Sequence, residues 1–361
     1  MRAKRVEGID IFRAFLIISV VAGHAQIPVV KGFCFIYMVP AFFFISGFCS
    51  KADSGLDAEK QFSTICKRSY RLWKPYTIYA VVYTLLHNVF LWVGFYSSSP
   101  TFIEEFGNGR ITEKYSLCDM IVHVLKSAVF LCDEELLRPL WFLPASFLAS
   151  LLFSMIIPLA LKTKRLWLII LEALIMFLIG YYIKLPFYFS QGMLGFSFMA
   201  MGYLVKEHKE RLRMPMNKVA LLCSCIVSFA VVLILSRFCT VDMMTNTYTN
   251  PILLLLGVFA GIVFIFDLSY LFAKTALKKL FCFVGKNTLT ILALHLTMFK
   301  SVTLMQIVLL HKPRIYMACY PVYMKTPLWT ILYFIVGIIL SVFVAFVISR
   351  VNNKAEGKKV K

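Results

Sequence analysis

The chain has 361 residues, of which 60% are hydrophobic and only 16% are charged, and its formal net charge is +20. Soluble domains are about 45–50% apolar and about 25% charged, so this composition excludes a soluble enzyme and a disordered chain. In a protein that crosses the membrane repeatedly, excess Lys and Arg mark cytoplasmic loops and not a nucleic-acid surface. We therefore predict an all-α polytopic membrane protein that forms one membrane-embedded domain over residues 1–361 and binds no nucleic acid.

Apolar runs along the chain predict about ten transmembrane helices. A helix needs roughly 20 apolar residues to cross a bilayer, and ten runs approach or exceed that length. They cover 9–29, 33–50, 72–96, 139–161, 165–184, 186–205, 217–237, 250–273, 281–309 and 326–349. An eleventh run, 116–132, is shorter and contains the ionisable residues Asp119, His123 and Lys126.

The positions of the basic residues predict the orientation. If the N-terminus is cytoplasmic and 116–132 does not cross, most of the 38 Lys and Arg residues fall in cytoplasmic loops, as the positive-inside rule requires. If 116–132 did cross, every later loop would change sides and the bias would vanish. We therefore predict a multi-pass protein of the inner plasma membrane with both termini cytoplasmic, and an interfacial or re-entrant helix near 116–132 on the outer face.

The first predicted helix carries three ionisable residues, Asp10, Arg13 and His24. Helical geometry places them on one stripe, with His24 about 16 Å beyond Arg13 along the axis. Histidine is the side chain best suited to proton transfer near neutral pH, which makes His24 a candidate catalytic base. The structural alternative is an interfacial ion pair of Asp10 and Arg13, with His24 as an interhelical hydrogen-bonding residue.

A basic face precedes the third predicted span. The segment KRSYRLWKPY places Arg68, Arg71 and Lys74 on one side of a helix at the membrane edge. Such a face either anchors the helix on the cytoplasmic side or binds a multiply phosphorylated ligand, since Arg binds phosphate through paired hydrogen bonds. Composition alone leaves both interpretations open.

Other polar residues inside the predicted spans are candidates for a substrate cavity. Tyr83 and His87 share a helix face, and His295 lies about halfway along its span. Each has a structural alternative as an interhelical hydrogen-bonding residue. The six His residues show no metal-binding spacing, so we predict no metal site. A disulfide between Cys118 and Cys132, in one polar loop, is left open.

Five segments carry motifs in a fixed order. They are RVEGIDIFRAFLIISVVAGH in the first span, MVPAFFFISGF in the second, RSYR at 68–71, LWFLPASF at 140–147 and VGKNTLTILALH at 284–295. Together they resemble the acyltransferase-3 superfamily of integral-membrane acyltransferases, which O-acylate sugars and polysaccharides, and within it the fucose-4-O-acetylase-like subgroup. Met38 stands where relatives often have His, so a role for that His does not transfer to this chain.

The resemblance implies an enzyme that moves an acyl group, acetyl by default, from cytoplasmic acyl-CoA to a hydroxyl of a sugar, polysaccharide or lipid-linked glycan. It implies that His24 is the catalytic histidine and that Asp10 and Arg13 belong to the same polar core. Arg68 and Arg71, with Lys74 beside them, would contact the CoA phosphates. His295, Tyr83 and His87 are candidates for binding the acceptor.

Several alternatives stay open from the sequence. His24 can act as a general base or form an acyl-His intermediate. A lipid-linked sugar transporter or flippase is the competing function, although the chain lacks the inverted hydropathy repeat that is typical of transporters. A scaffold or sensor with an inactivated core is a third hypothesis. The sequence does not identify the acyl group, the acceptor or the oligomeric state.

Overall fold

A computed structural model describes residues 7–51, 58–107, 112–163, 165–208 and 217–355. The basic stretches at 1–6, 209–216 and 356–361, on which the predicted orientation partly rests, lie outside the described residues. The helices are α1 (Glu7–His24), α2 (Val30–Phe48), α3 (Ala58–Val93), α4 (Pro100–Phe106), α5 (Leu117–Ala128), α6 (Phe142–Lys162), α7 (Leu166–Tyr182), α8 (Phe189–Glu207), α9 (Lys218–Phe238), α10 (Pro251–Phe272), α11 (Lys278–Lys286), α12 (Thr288–Leu309) and α13 (Pro327–Ala355). Two 3-10 helices cover Glu135–Trp141 and Arg314–Ala318, and β1 (Val241–Asp242) pairs antiparallel with β2 (Thr247–Tyr248).

The chain is an all-α, multi-pass membrane protein. Among the described residues, seven helices are long and apolar enough to cross a membrane: α2, α3, α6 with the 3-10 turn before it, α9, α10, α12 and α13. α7 is apolar but has only 17 residues, and α1 carries three charged residues within its 18. Each of the ten predicted spans corresponds to a helix, although length and composition support only seven of them as crossings.

Two predicted boundaries are wrong. α3 begins at Ala58 and not near residue 72, because polar residues with good helix propensity extend it by about four turns beyond the apolar part. The predicted span 281–309 is divided at Asn287, between α11 and α12. Asn287 leaves the helical conformation and its side-chain amide donates to the carbonyl of Phe283, 2.8 Å away, which closes the end of α11.

The segment predicted as a non-crossing helix forms α5. Its 12 residues are about 18 Å long, well short of the roughly 30 Å hydrocarbon core of a bilayer. Ser116 and Asp119 form a reciprocal capping box at its first turn. One face exposes Leu117, Ile121 and Leu125. The sequence left open a disulfide between Cys118 and Cys132, and the described structure forms no such bond between them.

The fold divides into two compact units. The first contains Met1–Phe12, Gly32–Tyr76 and Trp141–Lys278. In this unit α2 and α8 approach so closely that a Cβ at Gly47 would lie 1.9 Å from the carbonyl oxygen of Met199, and one at Gly202 would lie 2.0 Å from that of Phe44. Gly47 and Gly202 are thus reciprocal small residues at the contact between α2 and α8.

The second unit contains Arg13–Lys31, Thr77–Leu140 and Lys279–Lys361. α12 packs against α13 in this unit. The ring of Phe299 on α12 faces Gly337 on α13, where a Cβ would lie 2.4 Å from Phe299 and 3.3 Å from Val21 of α1. This packing fixes α12 beside the end of α1, which carries His24.

Candidate active site

Two histidines of the second unit form a hydrogen-bonded pair. His24 is the last residue of α1 and His295 lies in the middle of α12. Nε2 of His295 lies 3.0 Å from Nδ1 of His24, and the ring centroids are 4.9 Å apart. His295 is fully buried, whereas His24 is partly buried. The two side chains singled out in widely separated motifs are thus in direct contact, and we call them the histidine pair.

The hydrogen bonds determine which nitrogen of His24 is basic. Nδ1 of His295 lies 3.0 Å from the carbonyl oxygen of Ile291, and a carbonyl can only accept, so this nitrogen carries the proton of the neutral ring. Nε2 of His295 is then an acceptor and receives the Nδ1–H of His24. The neutral ring of His24 then keeps its lone pair on Nε2.

Two tyrosines of α3 hold the same stretch of α12. The Tyr83 hydroxyl lies 2.6 Å from that of Thr297 and donates to the carbonyl of Ala293 at 3.3 Å, while Tyr79 donates to Thr290 at 3.0 Å. Tyr83 is buried. These bonds fix the backbone on both sides of His295, so Tyr83 supports the position of the histidine pair.

His87 belongs to a separate polar cluster of the second unit. Its Nδ1 lies 3.0 Å from a carboxylate oxygen of Glu134 and its Nε2 lies 2.9 Å from the carbonyl of Glu113, and the ring stacks on Tyr115 with centroids 3.5 Å apart. Tyr96 donates to Glu134 at 2.8 Å. Burial and the Glu134 carboxylate raise the pKa of Tyr96 well above its ordinary value, so the phenol stays protonated and donates. Both ring nitrogens of His87 are engaged, which favours a structural role over the predicted contact with the acceptor.

The basic face of α3 belongs to the first unit and is only partly free for a ligand. The Arg68 guanidinium donates to Ser154 Oγ and to the carbonyl of Lys51, both at 2.9 Å, and lies over the ring of Phe153. Arg71 and Lys74 are exposed. The three residues therefore differ: Arg68 turns toward α6, while the other two extend outward.

The remaining predicted site residues lie on α1. Asp10 is buried, with 1% of its surface exposed, and Arg13 is half-buried. Within the described residues no group of three His, Cys, Asp or Glu side chains is arranged to hold a metal ion.

A comparison with protein-family models matches residues 6–350 to the acyltransferase-3 family, described as an acyltransferase domain. The chain belongs to the acyltransferase-3 family. It is therefore a membrane acyltransferase, an enzyme that transfers acyl groups other than aminoacyl groups. No curated protein and no solved structure matches it.

Three buried polar residues of this acyltransferase were not predicted as site residues. Lys300, on α12, is buried and donates to the carbonyls of Met317 and Cys319 at 2.9 and 3.0 Å. Glu134 and Glu135 are buried although they lie in an acidic loop. The burial of Lys300 could have been predicted, since a lone Lys in an apolar span is costly and needs a partner. The burial of Glu134 and Glu135 could not, because acidic residues in loops are usually solvated.

Proposed function

We propose that this acyltransferase-3 protein transfers an acetyl group from cytoplasmic acetyl-CoA to a hydroxyl of a sugar, polysaccharide or lipid-linked glycan, as a member of the fucose-4-O-acetylase-like subgroup. The observation that carries the proposal is the histidine pair. It gives a membrane acyltransferase one partly buried imidazole with a defined basic nitrogen, supported by a second, fully buried ring. Proton transfer from an acceptor hydroxyl requires a base of this kind.

His24 acts as the general base. Nε2 takes the proton of the acceptor hydroxyl as its oxygen attacks the thioester carbonyl. When the tetrahedral intermediate collapses, the C–S bond breaks and the proton passes from Nε2 to the CoA sulfur. An acyl-His intermediate would use the same nitrogen as a nucleophile, so the tautomer set by His295 serves either route.

His295 is a positioning residue in this proposal and not a contact to the acceptor as the motif suggested. Both of its nitrogens are engaged within the protein. It stabilises the imidazolium that forms on His24, in the way that an orienting group supports the base in hydrolase triads. Asp10 and Arg13 remain proposed members of the polar core of α1.

The donor binds through the basic face of α3. CoA carries a pyrophosphate and a ribose phosphate, and the exposed Arg71 and Lys74 supply cationic groups for them. Arg68 contributes those guanidinium N–H groups that Ser154 and the carbonyl of Lys51 leave unused. No metal takes part in the proposed reaction.

The proposed topology has ten crossings, obtained by adding α1, α7 and α8 to the seven long apolar helices. Both termini are cytoplasmic in an inner plasma membrane, the whole chain acts as one catalytic domain, and α5 lies in the outer interface. Two exposed free cysteines, Cys66 on α3 and Cys118 on α5, allow a test. In single-cysteine variants, a membrane-impermeant maleimide should label Cys118 in intact cells and Cys66 only after permeabilisation. The reverse pattern would contradict the orientation.

The activity is tested with purified protein in detergent, [14C]acetyl-CoA and methyl α-L-fucopyranoside or methyl α-D-galactopyranoside. We expect label in the glycoside and stoichiometric release of CoA. Release of CoA without acetylated product for any glycoside would contradict a sugar acceptor. Absence of CoA release with acetyl-, propionyl- and longer acyl-CoAs would contradict the donor. The family match gives no support to the transporter alternative.

A further inference from the structure

A buried carboxylate in the second unit has an oxygen without a partner. Glu135 is the first residue of the 3-10 helix Glu135–Trp141 and is 4% exposed. Its Oε1 is buried and makes no hydrogen bond with any residue that the structure describes. Leaving a buried carboxylate oxygen unpaired costs on the order of 1–3 kcal/mol or more. Because most buried polar groups in proteins are hydrogen-bonded, this oxygen needs a donor.

Two cationic side chains belong to the same part of the second unit. Arg138 follows Glu135 by three residues in the same 3-10 helix, and its guanidinium lies over the ring of Tyr320. Lys300 is 2% exposed and donates to the carbonyl of Cys319, the residue before Tyr320. The charges of both act on Glu135. An ammonium group has three donors, and the described residues accept two of them through the carbonyls of Met317 and Cys319. Within the described part of the chain, this buried cluster therefore contains one acceptor oxygen and one donor hydrogen without a partner.

An aromatic ring adjoins the two charged groups. Tyr320 follows Cys319 directly and is half-buried. The guanidinium of Arg138 lies 5.9 Å from the centre of its ring. An acceptor, a donor and a partly exposed ring match the chemistry of a neutral sugar, whose hydroxyls both donate and accept and whose ring C–H face is apolar.

The site lies on the acceptor side of the histidine pair. Lys300 is five residues after His295 on α12, which is about 7.5 Å along the axis, toward the end that the proposed topology places outside. Glu135 and His24 also lie at outer ends in that topology. A glycan that enters from the outside would therefore meet Glu135 and Lys300 on its approach to His24.

We propose that Glu135 and Lys300 form a subsite for adjacent hydroxyls of a neutral sugar. Glu135 Oε1 accepts from one hydroxyl and Lys300 Nζ donates to its neighbour. The inference deepens the proposed function, on which it rests for the identity of the acceptor side, and it names the acceptor class as a neutral sugar with a free vicinal diol.

The test compares the kinetics of wild type with those of Glu135→Gln. This variant keeps the size of the side chain and removes the charge. With methyl α-L-fucopyranoside as the probe, we expect its KM to rise at least tenfold, while the KM for acetyl-CoA stays within twofold. Glu105→Gln is the matched control, since Glu105 is an exposed carboxylate of the same predicted outer loop. An unchanged KM for the glycoside in Glu135→Gln would overturn the subsite and leave Glu135 with bound water only.

A second measurement, made on wild type and on the conservative variant Glu135→Asp, keeps the inference testable if Glu135→Gln does not fold. cis-1,2-Cyclohexanediol should raise the melting temperature of wild type more than equimolar cyclohexanol, and Glu135→Asp, which keeps the charge but shortens the reach, should reduce the difference. Equal shifts for the two alcohols would overturn the proposal. If wild type transfers no acetyl group but shows the diol shift, the proposed function fails and the subsite stands.

Discussion

Replacement of His295 by Ala tests how much the histidine pair contributes to catalysis. The change removes the acceptor that receives the Nδ1–H of His24 at 3.0 Å. In the transition state His24 carries the positive charge of an imidazolium, and a hydrogen bond to a charged group contributes about 1.5–3 kcal/mol. We therefore expect kcat to fall roughly 10- to 150-fold.

The assay is the initial rate of acetyl transfer from acetyl-CoA to methyl α-L-fucopyranoside. Because His295 contacts His24 and not the donor, the KM for acetyl-CoA should change less than twofold. His295→Gln places an amide oxygen near the position of Nε2 and should recover most of the loss. His311→Ala, which removes an exposed histidine just beyond α12, is the matched control. A folded His295→Ala protein with kcat within twofold of wild type would refute the reasoning.

Three further predictions concern packing, donor binding and the outer helix. Gly47→Ala should lower the free energy of unfolding by about 1–3 kcal/mol, because its Cβ would meet the backbone of Met199. The control is Gly8→Ala, whose Cβ would have nothing within 4 Å and which should leave stability unchanged. Equal effects of the two variants in detergent melting curves would contradict the close packing of α2 against α8. Arg71→Ala should abolish the stabilisation by acetyl-CoA, because a ligand stabilises only by binding the folded state, and should leave the melting temperature of the free protein unchanged, because Arg71 is exposed. The control Lys218→Ala, at another exposed basic position, should keep the stabilisation by acetyl-CoA. If Arg71→Ala also keeps this stabilisation, the basic face does not bind the donor. Hydrogen bonds from Ser116 lower the pKa of Asp119. The cap of α5 therefore stabilises the helix above the ordinary aspartate pKa of about 3.9, and this stabilisation is lost as the pH falls through the lowered pKa. Ser116→Ala should raise the rate of amide hydrogen exchange over 117–121 at neutral pH, and an unchanged rate would refute the role of the cap.

Much of the helical framework was predictable, because a bilayer imposes long apolar helices that are visible in sequence. The exceptions have local causes. The first four turns of α3 are polar, and the division at Asn287 depends on one side chain closing the end of α11. Hydropathy reports on lipid contact and is insensitive to both.

The candidate site was predictable as a set of residues but not as an arrangement. His24 and His295 are 271 residues apart, and no periodicity relates positions on different helices. The direction of Arg68 depends on Ser154 of α6, and the neighbourhood of Glu135 depends on a lysine and a loop from the far end of the chain. These contacts arise from tertiary packing, which a single sequence does not specify.

His24 is the proposed base for acetyl transfer, and the rate of [14C]acetyl incorporation into glycoside by His24→Ala tests this role most directly. We expect a loss of at least about 100-fold, as is typical when a general base is removed. Binding of acetyl-CoA, followed by its effect on the melting temperature, should be preserved in the variant. A His24→Ala protein that transfers acetyl at the wild-type rate would contradict the account.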